Sequence, residues 1–354
     1  MIAWIWFALA TLFSYVQQGQ TALSSPAPPP PPVTYQNVSL ASFPVRVYGL
    51  EDLAPPVNGT VPPVTVAIYM HGRFESADIA DPLVRSLYAS TRQHMVADPA
   101  GSLRDFLLVS FDALNHGART RDPARRFDLP QNPTFLIDHY GYILNNRDMV
   151  SFIIDFLPVY LFPNDERSIE RWVISGESMG GHSAWHALAA DRRIDTAAIF
   201  LGSPDYNMIM QDRAQTAHMS VAPPTAPLSF QRLVNVTDPS MKPFNSMDPA
   251  ENPFWGKHIF LGLGGDDPFV PLSLSARVLR GLVLGSKNDT LAQQSLEIYE
   301  QPGIQHAVTP QMLDLAGRWI YRWTIAKQPV TLPGPAKLPS HTMSAVPATV
   351  TAKP

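Results

Sequence analysis

A chain of 354 residues, 45% hydrophobic and 16% charged, reads as one large α/β domain with tails, and is ample for a sizeable core. Its formal net charge of −4, with no basic run interleaved with aromatics, gives no field that would attract nucleic acid. The absence of cysteine excludes disulfides, thiolate catalysis and cysteine-based metal sites.

Residues 2–16 form an uncharged apolar block of signal-peptide length, short for a membrane span, so 1–24 reads as a secretory signal. An uncleaved signal anchor is the alternative, since no Lys or Arg precedes the block. Residues 25–39 follow as a linker whose Pro28–Pro32 run favours polyproline II and cannot pack a core. Sequons at Asn37, Asn58, Asn235 and Asn288 fit a glycoprotein of the secretory pathway.

From about residue 40 to 327, short apolar runs alternate with helical stretches, the pattern of a mostly parallel, doubly wound sheet. Phe43–Leu50 is an edge-strand candidate, Val64–Met70 a central strand and Asp105–Asp112 a third. Asp148–Leu157 predicts a helix with Met149, Phe152, Ile153, Phe156 and Leu157 on its apolar face, ended by Pro158. Trp172–Ile174 is a strand running into the helix former Ser183–Ala190, and Thr196–Leu201 is the next strand. Residues 204–255 break this rhythm with repeated prolines and read as an irregular inserted lid. His258–Gly264 and Leu296–Tyr299 are strands, and Ser273–Leu284 is a helix between them. Thr309-Pro310 starts a last helix with Met312, Leu315, Trp319 and Trp323 on one face, and 328–354 is a Pro/Thr/Ala-rich tail expected to be disordered.

Gly176-Glu177-Ser178-Met179-Gly180 is a G-x-S-x-G placed between a strand and a helix. There a serine on a sharp strained turn exposes its hydroxyl, and small neighbours let the helix cross the strand closely. A serine hydroxyl needs a base to take its proton, and the base needs an acid to hold its tautomer. Asp267 lies after the strand at 258–264 and His306 after the last strand, in the order Ser, acid, His; Asp266 competes with Asp267. Two N–H groups must face the oxyanion: Met179 supplies one, and the turn after Met70 the other, through Arg73 or alternatively Phe74.

The remaining histidines have plainer readings. His182 and His186 stand one helical turn apart, a spacing that binds zinc, but without the Glu of an H-E-x-x-H motif, so no metal is assigned. His71 and His116 end strands on the serine's edge and read as loop organisers. His94, His139, His218, His258 and His341 have no placement that suggests catalysis.

Together His71-Gly72, Asp112 with Asn115–Arg119, Gly176–His182, Gly265–Pro271 and Gly303-x-x-His306 resemble the α/β-hydrolase superfamily, near its small esterases related to the prolyl-oligopeptidase catalytic domain. The resemblance covers roughly residues 40–327 and implies cofactor-independent hydrolysis of a small ester by a serine carboxylesterase. No propeller-length segment precedes residue 40, which argues against a prolyl oligopeptidase itself. A peptidase is the runner-up, and a catalytically idle binding module is the reading from another class. Activity is expected to rise with pH as a histidine base becomes neutral.

Overall fold

The computed structural model describes residues 33–327. The signal reading at 1–24, all but the last residues of the linker, the tail at 328–354 and His341 lie outside the described residues.

Eight strands form one sheet in the order β1-β2-β4-β3-β5-β6-β7-β8. They are β1 (Tyr35–Leu40), β2 (Phe43–Tyr48), β3 (Val64–Met70), β4 (Asp105–Ser110), β5 (Ile169–Glu177), β6 (Ile194–Phe200), β7 (His258–Gly264) and β8 (Leu296–Gln301). β1 and β2 are antiparallel to their neighbours, and every other pairing is parallel. A parallel sheet is buried on both faces, which is why β3 and β4 are apolar without alternation and buried along their whole length. The strand predictions at 64–70 and 258–264 coincide with β3 and β7.

Helices cover both faces. Helices α1 (Asp81–Ala97) and α7 (Pro310–Ile320) pack on one, where Val84, Leu87, Met312 and Trp319 meet Phe106 and Phe260. On the other lie α2 (Phe135–Leu161) and α3 (Met179–Ala190), whose Ile153, Leu157 and Trp185 meet Val66, Ile174 and Ile199. Trp185 is fully buried, with its ring edge-on to Phe254 at 5.9 Å. Thr309 caps α7, its hydroxyl accepting the Met312 N–H at 3.2 Å, as the Thr-Pro pair predicts.

Several boundaries depart from expectation. The stretch assigned to the linker contributes β1, so Phe43–Leu50 gives a second strand and not the edge; Tyr35 pairs with Tyr48 and Leu40 with Phe43 across a tight reversal at Ala41-Ser42. The helix expected at 148–157 is 27 residues long, starting at Phe135 and running through Pro158 to Leu161. Its buried stripe continues backwards as Tyr140, Ile143, Asn146 and Val150; the polar Asn146 is accommodated because its amide donates to Ser183 Oγ at 3.1 Å. A proline in the last turn removes only one intrahelical bond, so the helix survives it. Phe156, placed on the apolar face, is instead exposed against Phe152.

The insertion at 204–255 is not irregular throughout. It contains α4 (Tyr206–Thr216) and α5 (Leu228–Thr237), whose Tyr206, Ile209, Met210, Phe230 and Val234 form a satellite core with Tyr140 and Met179. The helix expected at 273–284 shrinks to a 3-10 turn and α6 (Ala276–Gly281). Beyond it the backbone ties the insertion's exit instead: Val283 N–H donates to Phe244 O and Gly256 N–H to Leu284 O.

Candidate active site

In an open parallel sheet, ligands gather outside the carboxyl ends of the strands. β3, β4, β5, β7 and β8 end there at His71, Asp112, Ser178, Asp267 and His306 respectively, each within a few residues of its strand. Ser178 joins β5 to α3 with φ 52° and ψ −117°, a strained conformation for a residue with a side chain.

The glycines around Ser178 permit the crossing. A Cβ at Gly180 would lie 2.0 Å from Met70 O, and one at Gly181 2.5 Å from Phe200 O; both neighbours are backbone atoms that cannot swing away. Gly180→Ala is therefore expected to cost about 3 kcal/mol, the upper part of the range for overpacking. A urea midpoint equal to that of the wild type would contradict this.

The three side chains meet. His306 Nε2 lies 2.9 Å from Ser178 Oγ, and His306 Nδ1 lies 2.7 Å from Asp267 Oδ2. Asp267 is buried, and its other oxygen accepts the N–H groups of Phe269 at 2.8 Å and Val270 at 3.0 Å. Burial works to raise the Asp267 carboxyl, but the His306 contact and those two N–H groups outweigh it and hold the group below its ordinary value. Asp266, the competing acid, is exposed, and the imidazole faces Asp267 alone. The Phe269 ring meets the His306 ring edge-on at 5.4 Å.

Met179 is the first residue of α3, so its N–H has no intrahelical acceptor and sits at the positive end of the helix dipole. Opposite runs the turn Gly72–Glu75, closed by Glu75 N–H to Gly72 O at 3.3 Å, with Phe74 at φ 70°. A Cβ at Gly72 would stand 3.6 Å from Ser178 Cβ, so the backbone approaches the serine closely. The Gly72 N–H is already used by Glu75 Oε2 at 2.8 Å, which leaves Arg73 and Phe74 as donors in this turn. The Arg73 guanidinium is tied to Asp128 at 2.9 Å and to Arg126 O, and lies over the Phe135 ring.

The neighbouring histidines serve the scaffold. His71 Nδ1 donates to Gly72 O at 2.7 Å while its Nε2 accepts the Ala113 N–H at 3.0 Å, fixing a neutral tautomer that joins the β3 and β4 loops. His182 Nδ1 accepts the Ser203 N–H at 2.9 Å, and burial drives its pKa down to about 3. His186 instead faces the buried Asp238 at 3.6 Å. The pair does not converge on one point. Sequence reasoning missed Glu177 and Glu75: Glu177 is buried directly before the serine, and its position inside the motif was the available signal.

No family model matches this chain, and no curated protein matches it. Solved structures do. TT1662 from Thermus thermophilus superposes with a TM-score of 0.57 at 18% identity, covering 83% of this chain and 98% of that one. A puromycin-hydrolyzing peptidase of Mycobacterium tuberculosis gives 0.48 at 15% identity, over 84% of this chain and 39% of the other. The esterase Pf2001 of Pyrococcus furiosus gives 0.44 at 13% identity, over 82% and 93%. The strand order, the helices on both faces and the likeness to TT1662 define an α/β-hydrolase fold.

Proposed function

We propose that the protein is a secreted serine hydrolase that cleaves carboxylic esters of small molecules through an acyl-enzyme. The observation that carries this reading is the unbroken contact from Asp267 through His306 to Ser178. Ser178 Oγ attacks the ester carbonyl while His306 Nε2 takes its proton, and the N–H groups of Met179 and Arg73 receive the oxyanion. His306 returns the proton to the departing alcohol. A water then enters by the same route in reverse and releases the acid. No step in this sequence calls on a cofactor.

Phe74, in the turn that starts at Gly72, has its ring 6.0 Å from that of Phe127, and Phe269 lies against His306; all three are exposed large apolar side chains that suit an apolar acyl or alcohol group. The α4–α5 insertion is the lid in this account, packed against Met179 on the serine's own turn. Amides react by the same chemistry, so a panel of p-nitrophenyl esters of increasing chain length beside peptide p-nitroanilides separates the two readings. Turnover of the esters with little or none of the anilides is expected; the reverse would make the protein a peptidase.

Secretion and glycosylation complete the proposal. Asn37, Asn58, Asn235 and Asn288 are all exposed, which an attached glycan requires. Expression in a eukaryotic secretory host should give a product whose gel mobility increases on peptide-N-glycosidase treatment. Unchanged mobility would remove the glycoprotein reading.

A further inference from the structure

The side chain of Arg213 reaches from the last turn of α4, inside the insertion, to the loop that carries Asp267. Its Nη2 donates to Phe269 O at 3.0 Å, and its guanidinium carbon lies over the Phe269 ring, 5.4 Å from the centre. That same ring meets the His306 imidazole edge-on at 5.4 Å, and the Phe269 N–H donates to Asp267 Oδ1 at 2.8 Å. One residue of the acid loop thus touches the acid, the imidazole and the insertion. We propose that Arg213 is a positioning residue that holds Phe269, and through it keeps His306 and Asp267 aligned with Ser178. The proposal rests on reading Ser178 as the nucleophile.

The loop needs such a hold at its tip. Its first residues are tied down by backbone: Gly265 N–H donates to Gln301 O at 2.8 Å and Asp266 N–H to Ile304 O at 2.9 Å. Pro268 and Phe269 are exposed, and Pro268 has no N–H to give. Among the described residues, Phe269 O accepts only from Arg213. A charged donor makes a stronger hydrogen bond than a neutral one, and a cation over an aromatic ring is attracted by the ring's quadrupole. The guanidinium therefore fixes both the backbone and the ring of Phe269. Its other contact is weaker, Nη1 lying 3.6 Å from Asp212 Oδ2. The seat of α4 does not depend on Arg213: Asp205 Oδ1 accepts the Met208 N–H at 3.2 Å, Asp205 Oδ2 accepts Arg277 Nη2 at 2.9 Å, and Tyr206, Ile209 and Met210 are buried. Removing the guanidinium frees Phe269 and leaves the helix in place.

The test measures kcat and KM for p-nitrophenyl acetate in R213M, R213K, F269A and the double variant R213M/F269A. R213M keeps an apolar stem without donor or charge; its kcat should fall by about 10-fold to 100-fold through a misaligned imidazole, with KM little changed and the urea midpoint close to that of the wild type. R213K, which retains a charged donor, should recover most of that loss. In the F269A background R213M should cost less than it does in the wild type, because the ring through which the guanidinium acts is gone. A wild-type kcat in R213M, a loss carried by KM alone, an R213K as slow as R213M, or an equal cost in both backgrounds would overturn the proposal. Proton NMR reads the same coupling without turnover: the low-field resonance of the His306 Nδ1 proton bonded to Asp267 should be sharp in the wild type and R213K, and broadened by exchange with water in R213M. No such resonance in the wild type, or an unchanged one in R213M, would also overturn it. A wild type inert to esters and fluorophosphonates, in which R213M still broadens the resonance, would sink only the reading of Ser178.

Discussion

Ser178→Ala is expected to lower kcat on short p-nitrophenyl esters by about 10,000-fold to 1,000,000-fold, with KM nearly unchanged. The hydroxyl it removes stands 2.9 Å from His306 Nε2 and is the proposed nucleophile. Residual rate would come from the N–H groups of Met179 and Arg73, which the substitution leaves in place. His306→Ala should cost about as much, and the double variant hardly more than either single one, because the two side chains act as a unit. Losses that multiply in the double variant would show that serine and imidazole work separately. Retention of most activity in Ser178→Ala would remove the nucleophile altogether.

The second large effect is expected at the acid. Asp267 Oδ1 accepts two backbone N–H groups and Oδ2 faces His306 Nδ1, so each oxygen has a fixed task. In Asp267→Asn the two backbone donors select the amide oxygen, which turns the amide N–H towards His306 Nδ1. The imidazole must then accept at Nδ1 and carry its proton on Nε2, where it can no longer take one from Ser178. A fall in kcat of about 10,000-fold follows, without loss of the fold. Asp266→Asn is the control: its side chain is exposed, and its kcat should match the wild type. Equal losses at both positions would mean that the turn as a whole, and not the carboxylate, matters.

Much of the architecture was legible because its causes are local. β3 and β7 announce themselves as apolar runs, and the crossing of α3 over the sheet is written in Gly176, Gly180 and Gly181, where a side chain would strike backbone. The order of Ser178, Asp267 and His306 pointed to the residues that the sheet's carboxyl edge brings together. What stayed illegible depends on tertiary partners. Asp266 and Asp267 stand side by side in the sequence, and only the folded turn, through burial, its backbone N–H groups and the His306 contact, distinguishes them. The full extent of α2 is hidden by Asn146 and Pro158, residues that argue against a helix until Ser183 is seen to satisfy the first. The prolines at 223–253 suggested irregularity, yet α5 forms between them because Phe230 and Val234 have a core to enter. β1 looks like linker because its partner, β2, supplies half of the pattern.

The most direct measurement is covalent capture. A fluorophosphonate reacts with a serine only when a base activates it, and peptide mass spectrometry locates the adduct. The wild type should carry one adduct, on the peptide containing Ser178, formed slowly or not at all in His306→Ala. An unlabelled wild type, or an adduct on another residue, would contradict the account.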